Sequence, residues 1–254
     1  MKWTMKHYQY SLILSLTLVC LVTLSHSARA DDVNEEYRFT AFPYYKINTN
    51  ITVYAQLGYA INPDAQSQIY NLLSPGAYYK FNPWLELWGG LNDRYTQNDG
   101  KANTFLFRPF IGPKLFLPNK WRWNLYNFTQ YEYRATENLD THDWSYDNRI
   151  RSRFEADAPL AHTVHAWEPH TWYAVTSIEP FYDINQNDII QLRVAGGLGY
   201  VLSKHTQLEF VYYAQFGRSN GGPLQYNENI FRLNLKIGLN RKNDAKEAAA
   251  INSQ

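Results

Sequence analysis

The chain has 254 residues, 17% of them Phe, Trp or Tyr, with 24 Lys and Arg against 23 Asp and Glu and a single cysteine, Cys20. The near-balance of charge gives no electrostatic reason to expect a nucleic-acid partner. One cysteine excludes a disulfide framework.

The first predicted element is an export signal. Met1–Arg29 opens with Lys2 and Lys6, runs through SLILSLTLVCLVTL (Ser11–Leu24) and closes on Ala28-Arg29-Ala30. A positive start, a short apolar run and a small-x-small site predict a secretory signal peptide over residues 1–30. The apolar run is shorter than the ~20 residues a spanning helix needs. Val19, before Cys20, is not the small residue of a lipoprotein site, so no lipid anchor is expected. Cleavage after Ala30 would remove Cys20 and leave 21 basic residues against 23 acidic.

Residues 31–50 follow, with EYRFTAFPYYKI (Glu36–Ile47) alternating as a strand does. This segment is expected as a periplasmic or luminal arm, or else as part of a twelve-stranded wall. From residue 51 to residue 240 the pattern is strand throughout. In ITVYAQLGYAI, Ile51, Val53, Leu57, Tyr59 and Ile61 share one face, opposite Thr52, Tyr54 and Gln56. In IIQLRVAGGLGYVL, Ile190, Leu192, Val194, Leu198 and Leu202 oppose Gln191, Arg193 and Gly197. TQLEFVYYAQF and IFRLNLKIGLN repeat the pattern, with Glu209, Arg232 and Lys236 among the polar set. A repeat of two is the strand period. Turn residues divide the region into ten strands, near 51–61, 67–81, 84–97, 103–117, 120–135, 144–158, 170–183, 188–202, 206–217 and 229–240. Residues 241–254, RKNDAKEAAAINSQ, read as a polar periplasmic tail.

Strands of this length cross a bilayer, which needs about 9–11 tilted residues. Trp84, Trp121, Trp123, Trp144 and Trp172 fall at strand ends, where amphipathic rings favour the headgroup level. The mean hydropathy is negative despite clean apolar stripes, which fits a polar interior. The fold expected is therefore an all-β antiparallel transmembrane barrel of ten strands, or twelve, in a Gram-negative outer membrane. A soluble β-sandwich is the competing fold, but its strands are usually about five or six residues long. With ten strands both chain ends lie in the periplasm. The expected partners are outer-membrane lipid and, during biogenesis, the barrel-assembly machinery.

Three stretches then carry a resemblance. They are LSPGAYYKFNPWLELWGG (Leu73–Gly90), NRIRSRFE (Asn148–Glu155) and IEPFYD with IIQLRVAGGLGYVLSKHTQLEFVYYAQ (Ile178–Gln215). Together they resemble an uncharacterised family of Gram-negative barrel-like proteins catalogued as a domain of unknown function. The likeness runs from about Ile51 to Asn240. The chain departs from the family pattern at Glu155–Asp157, and its tail does not end on the aromatic residue common in outer-membrane barrels. The resemblance implies a barrel and brings no reaction, ligand or partner with it.

The charged face remains to be assigned. Arg149, Arg151, Arg153 and Glu155 alternate with Ile150 and Phe154. An Arg facing the bilayer midplane costs about 2–4 kcal/mol, so the charged column is expected on the inner wall. Glu132, Glu179 and Arg193 on other strands share that side and could pair with it, since Arg binds carboxylates through a two-pronged fork. One expected role is a salt-bridged interior with a structural or interaction function and no identified ligand. The alternative is a narrow anion-preferring pore, a small porin in effect, because rings of Arg and Lys select anions. A third reading is a lipid-acting hydrolase built on Ser219 in GRSNGG (Gly217–Gly222). Outer-membrane lipases place His two residues before such a serine, and here that residue is Gly217, so no base in the motif can take the proton. No catalytic residue is expected, nor is any cofactor. His162, His165 and His170 cluster in one connection, but their spacing matches no standard zinc pattern, and no metal is expected.

Overall fold

The computed structural model describes residues 33–120, 122–161, 164–218 and 222–239. The expected signal and tail lie outside them, as do Trp121, His162, Ser219 and Asn220. All regular structure among the described residues is strand, and no helix among them is long and apolar enough to cross a membrane.

Eleven strands form one closed barrel: β1 (Asn34–Lys46), β2 (Ile51–Asn62), β3 (Ser67–Asn82), β4 (Leu85–Asn98), β5 (Thr104–Leu117), β6 (Asn124–Asn138), β7 (Trp144–Pro159), β8 (Trp172–Asp183), β9 (Asp188–Ser203), β10 (Thr206–Gly217) and β11 (Gln225–Gly238). Sequence neighbours pair antiparallel, and the seam is closed by a parallel pairing of β1 with β11, from Asn34–Glu228 to Tyr44–Gly238. The expected count of ten is thus corrected to eleven. The segment expected as an arm, or else as part of the wall, is a wall strand, because Glu36–Tyr44 finds partners on both sides, in β2 and β11. An odd count has a consequence for the ends. β1 starts at one mouth of the barrel, here the N-terminal mouth, and β11 finishes at the opposite, C-terminal mouth.

The alternation sorts the side chains cleanly. In β2, Thr52, Tyr54 and Ala60 are buried while Leu57, Tyr59 and Ile61 are exposed. One irregularity lies in β3, where Leu72 and Leu73 are both exposed. Pairing with β4 jumps from Tyr70–Tyr95 to Gly76–Gly90, so β3 carries one extra residue there, a bulge that swings both leucines outward.

The loops at the N-terminal mouth share a device. Asn62, Asn138 and Asp183 end their strands and accept backbone N–H bonds from the loop, at 2.9 Å from Ala65, 3.0 Å from Asp140 and 2.8 Å from Asn185. Four residues after each, Gln66, His142 and Asn187 take positive φ and return the chain to the next strand. The C-terminal mouth holds the two-residue turns Pro83-Trp84 and Lys204-His205, and also the longest connection, residues 160–171. Gly112 is required by a close approach: a Cβ there would sit 1.8 Å from the backbone oxygen of Thr129 in β6.

Candidate functional site

The lumen is built in layers from the inward positions of the strands. The middle layer centres on Glu132 of β6, which is 1% exposed. Its neighbour in register on β7 is Arg149. Arg149 Nε and Nη2 donate to Glu132 Oε2 at 2.9 and 2.6 Å. Arg151 Nε lies 3.3 Å from Oε1 and Arg108 Nη1 4.0 Å from Oε2. A second carboxylate, Glu179 of β8, is likewise buried. It accepts from Arg153 Nε at 3.0 Å, and Arg151 Nε lies 3.5 Å from the same oxygen. Arg151 thus stands between the two glutamates and also donates to Gln130 at 2.7 Å. The Phe181 ring packs below, with the Arg149 and Arg193 guanidiniums 4.7 and 5.0 Å from its centroid.

The residues singled out in the sequence therefore fall on one wall. Arg149, Arg151, Arg153, Glu132 and Glu179 form one network, and Glu155 joins it at 3.5 Å from Arg153 Nη1 while also taking the Tyr126 hydroxyl. Arg193 is the exception. It stands opposite Glu179 in register, yet it donates to Gln215 Oε1 at 2.8 Å, while Glu179 Oε1 accepts from Arg153. His165 and His170 are exposed loop residues.

The layer at the C-terminal mouth was not anticipated from the sequence. Residues 164–171 turn back over the opening, with Ala166 fully buried and Trp167 reaching inward. Trp167 Nε1 donates to Asp157 Oδ2 at 2.9 Å, and Asp157 is itself fully buried. Backbone bonds from His170 N to Val201 O, 2.7 Å, and from Val201 N to Thr171 O, 3.0 Å, pin the loop to β9. Beneath it Glu209 accepts from Lys236 Nζ at 2.6 Å, Tyr173 Oη at 2.8 Å and Asn234 Nδ2 at 3.2 Å. Lys114 Nζ lies 3.8 Å from the Tyr126 ring centroid. Tyr173, Val175, Val201, Val211 and Ile230 add a small apolar core inside the barrel. Gly199 makes room for it, since a Cβ there would meet the Tyr173 ring at 2.2 Å. The signal for the cap was a tryptophan in a connection longer than the 2–5 residues usual for a hairpin.

Between the cap and the N-terminal mouth lies a cavity of about 80 Å³ lined mainly by arginine. The arrangement can hold charge, and apolar and aromatic side chains pack at the C-terminal mouth. Among the described residues no group of three or more His, Cys, Asp or Glu converges as a metal site would.

The chain belongs to a family described as proteins of unknown function (DUF2490), whose model matches residues 26–227. The match includes the whole of β1 and ends just inside β11. No curated protein and no solved structure matches the chain.

Proposed function

We propose that this DUF2490 member is an outer-membrane barrel of a Gram-negative bacterium, exported by the signal in residues 1–30, with a lumen closed by ion pairs. The observation that carries the reading is an inverted distribution of side chains. Buried positions include Glu36, Glu86, Glu132, Arg149, Asp157, Glu179 and Glu209, while among the described residues 33 large apolar or aromatic side chains are exposed against 16 buried hydrophobic residues of any size. Soluble monomers rarely expose contiguous apolar patches beyond a few hundred Å². Here Leu57, Leu87, Ile111, Ile150, Phe154, Ile178, Leu198, Phe210 and Leu233 encircle the wall.

Aromatic rings border that band at both ends. Towards the N-terminal mouth run the contacts Tyr37–Phe231, Tyr59–Tyr70, Tyr70–Tyr95 and Trp144–Tyr146. Towards the C-terminal mouth Tyr79 meets Phe81, and Trp172 meets Tyr200. This is the layout of interfacial girdles around a lipid-facing band.

The role that fits is structural or interactive, with outer-membrane lipid as the partner in place and the barrel-assembly machinery as the partner during insertion. Catalysis is not part of the reading, which rests on the ion pairs that fill the lumen. The test is fractionation with gel mobility. The mature protein is expected in the outer membrane and heat-modifiable, and native protein found soluble in the periplasm would overturn the reading.

A narrow anion-preferring pore is the second reading, favoured by the arginine-lined cavity and opposed by the Trp167 cap. Planar bilayers separate the two. A closed barrel leaves them silent, whereas a pore conducts with an anion preference that Arg151→Ala weakens.

A further inference from the structure

Six arginines line the mid-lumen cavity, Arg38, Arg108, Arg151, Arg153, Arg193 and Arg232, and Glu179 is the one carboxylate among its lining residues. Most carboxylates near the cavity are committed to arginines; Glu228, in register with Gln215, instead accepts from Gln215 Nε2 at 2.6 Å and Asn62 Nδ2 at 3.2 Å. Glu179 serves Arg153 and Arg151, Glu132 serves Arg149 with Arg151 and Arg108 beside it, and Glu36 pairs with Arg38. Arg193 and Arg232 have no carboxylate within 4.0 Å among the described residues. Their acceptors are neutral oxygens: Gln215 Oε1 at 2.8 Å and, in its better amide orientation, the Gln191 oxygen at 3.0 Å for Arg193, and Tyr213 Oη at 3.5 Å for Arg232. The Nε–H groups of Arg108 and Arg232 are buried and reach no acceptor among the described residues.

Cations held away from bulk water call for a counter-charge. A guanidinium fork suits an oxyanion, which can take two parallel N–H bonds. We propose that this cavity binds a small doubly charged oxyanion of the phosphate or sulfate type, held chiefly by Arg193 and Arg232. Arg193 and Arg232, neither with a carboxylate within 4.0 Å among the described residues, offer two forks to such an ion. A cavity of about 80 Å³ admits such an ion or a few waters and is too small for a sugar phosphate or a nucleotide. The Trp167 cap closes the C-terminal mouth, so the ion enters from the N-terminal mouth. The site goes beyond the closed-barrel reading and does not depend on where the barrel resides.

The experiment is calorimetric titration of the detergent-purified mature chain with sodium sulfate and with sodium phosphate, against sodium chloride at matched ionic strength. Saturable oxyanion binding is expected, at least tenfold tighter than chloride. The double variant Arg193→Gln with Arg232→Gln should weaken it at least tenfold. Arg134→Gln should leave it unchanged, because Arg134 has its own partner, Asp147, at 3.1 Å and does not line the cavity. Should the double variant fail to fold, Arg232→Gln alone decides, since removing Arg232 orphans no carboxylate. No oxyanion binding above the chloride control in the wild type would overturn the proposal. So would undiminished affinity in the double variant, or in Arg232→Gln when that variant stands in for it.

Discussion

Replacing Glu132 with glutamine isolates the charge at the centre of the lumen while keeping the side chain's size. Glu132 is 1% exposed, and its Oε2 accepts two N–H bonds from Arg149, whose side chain is itself only 7% exposed. Without that charge, Arg149 keeps no carboxylate within 4.0 Å among the described residues. Arg108 keeps only Asn92, at 2.5 Å. Arg151 is better protected, because Glu179 stands 3.5 Å away on its other side. The loss therefore falls mainly on one deeply buried guanidinium, and breaking such a pair costs about 3–5 kcal/mol.

For a domain of this size each kcal/mol moves the midpoint by about 2–4 °C, so the melting temperature should fall by about 6–20 °C. The assay is thermal unfolding of the detergent-solubilised protein at one fixed scan rate, since unfolding of such proteins is often irreversible. Arg134→Gln is the internal reference. Its bond to Asp147 joins side chains 20% and 33% exposed, and exposed pairs contribute about 0–1 kcal/mol. A Glu132→Gln protein melting within about 2 °C of the wild type, or level with Arg134→Gln, would show that the network is not buried as described.

Trp167→Ala should lower the melting temperature, because it removes an inward-packed indole and the one hydrogen-bond donor Asp157 has among the described residues; it should also let the barrel conduct in planar bilayers, and silence with an unaltered melt would refute a capping role. Epitopes placed just before Asn34 and just after Leu239 should lie on opposite sides of the membrane in intact cells, as eleven strands require. Equal protection of both would restore an even count. Ile150→Arg puts a charge in the outer apolar band, at about 2–4 kcal/mol if that band meets lipid. It should reduce the heat-modifiable folded fraction, and a wild-type yield would count against lipid on that face.

Most of the wall was legible because the strand period is a local property. β2 to β10 begin and end within four residues of the ranges read from alternation and turn residues, and Arg149, Arg151 and Arg153 could be put on one face by counting in twos. What could not be read is what depends on partners distant in the chain. Glu36–Ile47 was recognisable as a strand, but whether it enters the wall turns on a parallel pairing with residues 228–238, and no spacing within either segment specifies it. The same holds inside the lumen. Arg193 and Glu179 stand opposite each other in register, where strand neighbours on one face normally meet. Yet Glu179 Oε1 accepts from Arg153 on the other side, and Arg193 donates to a neutral glutamine. Such an arrangement across three strands cannot be seen from any single strand, and Arg193 has no carboxylate within 4.0 Å among the described residues. The paired arginines of β7 and the arginines of β9 and β11 that lack such a partner share one lumen, and the anion site we propose rests on the second set.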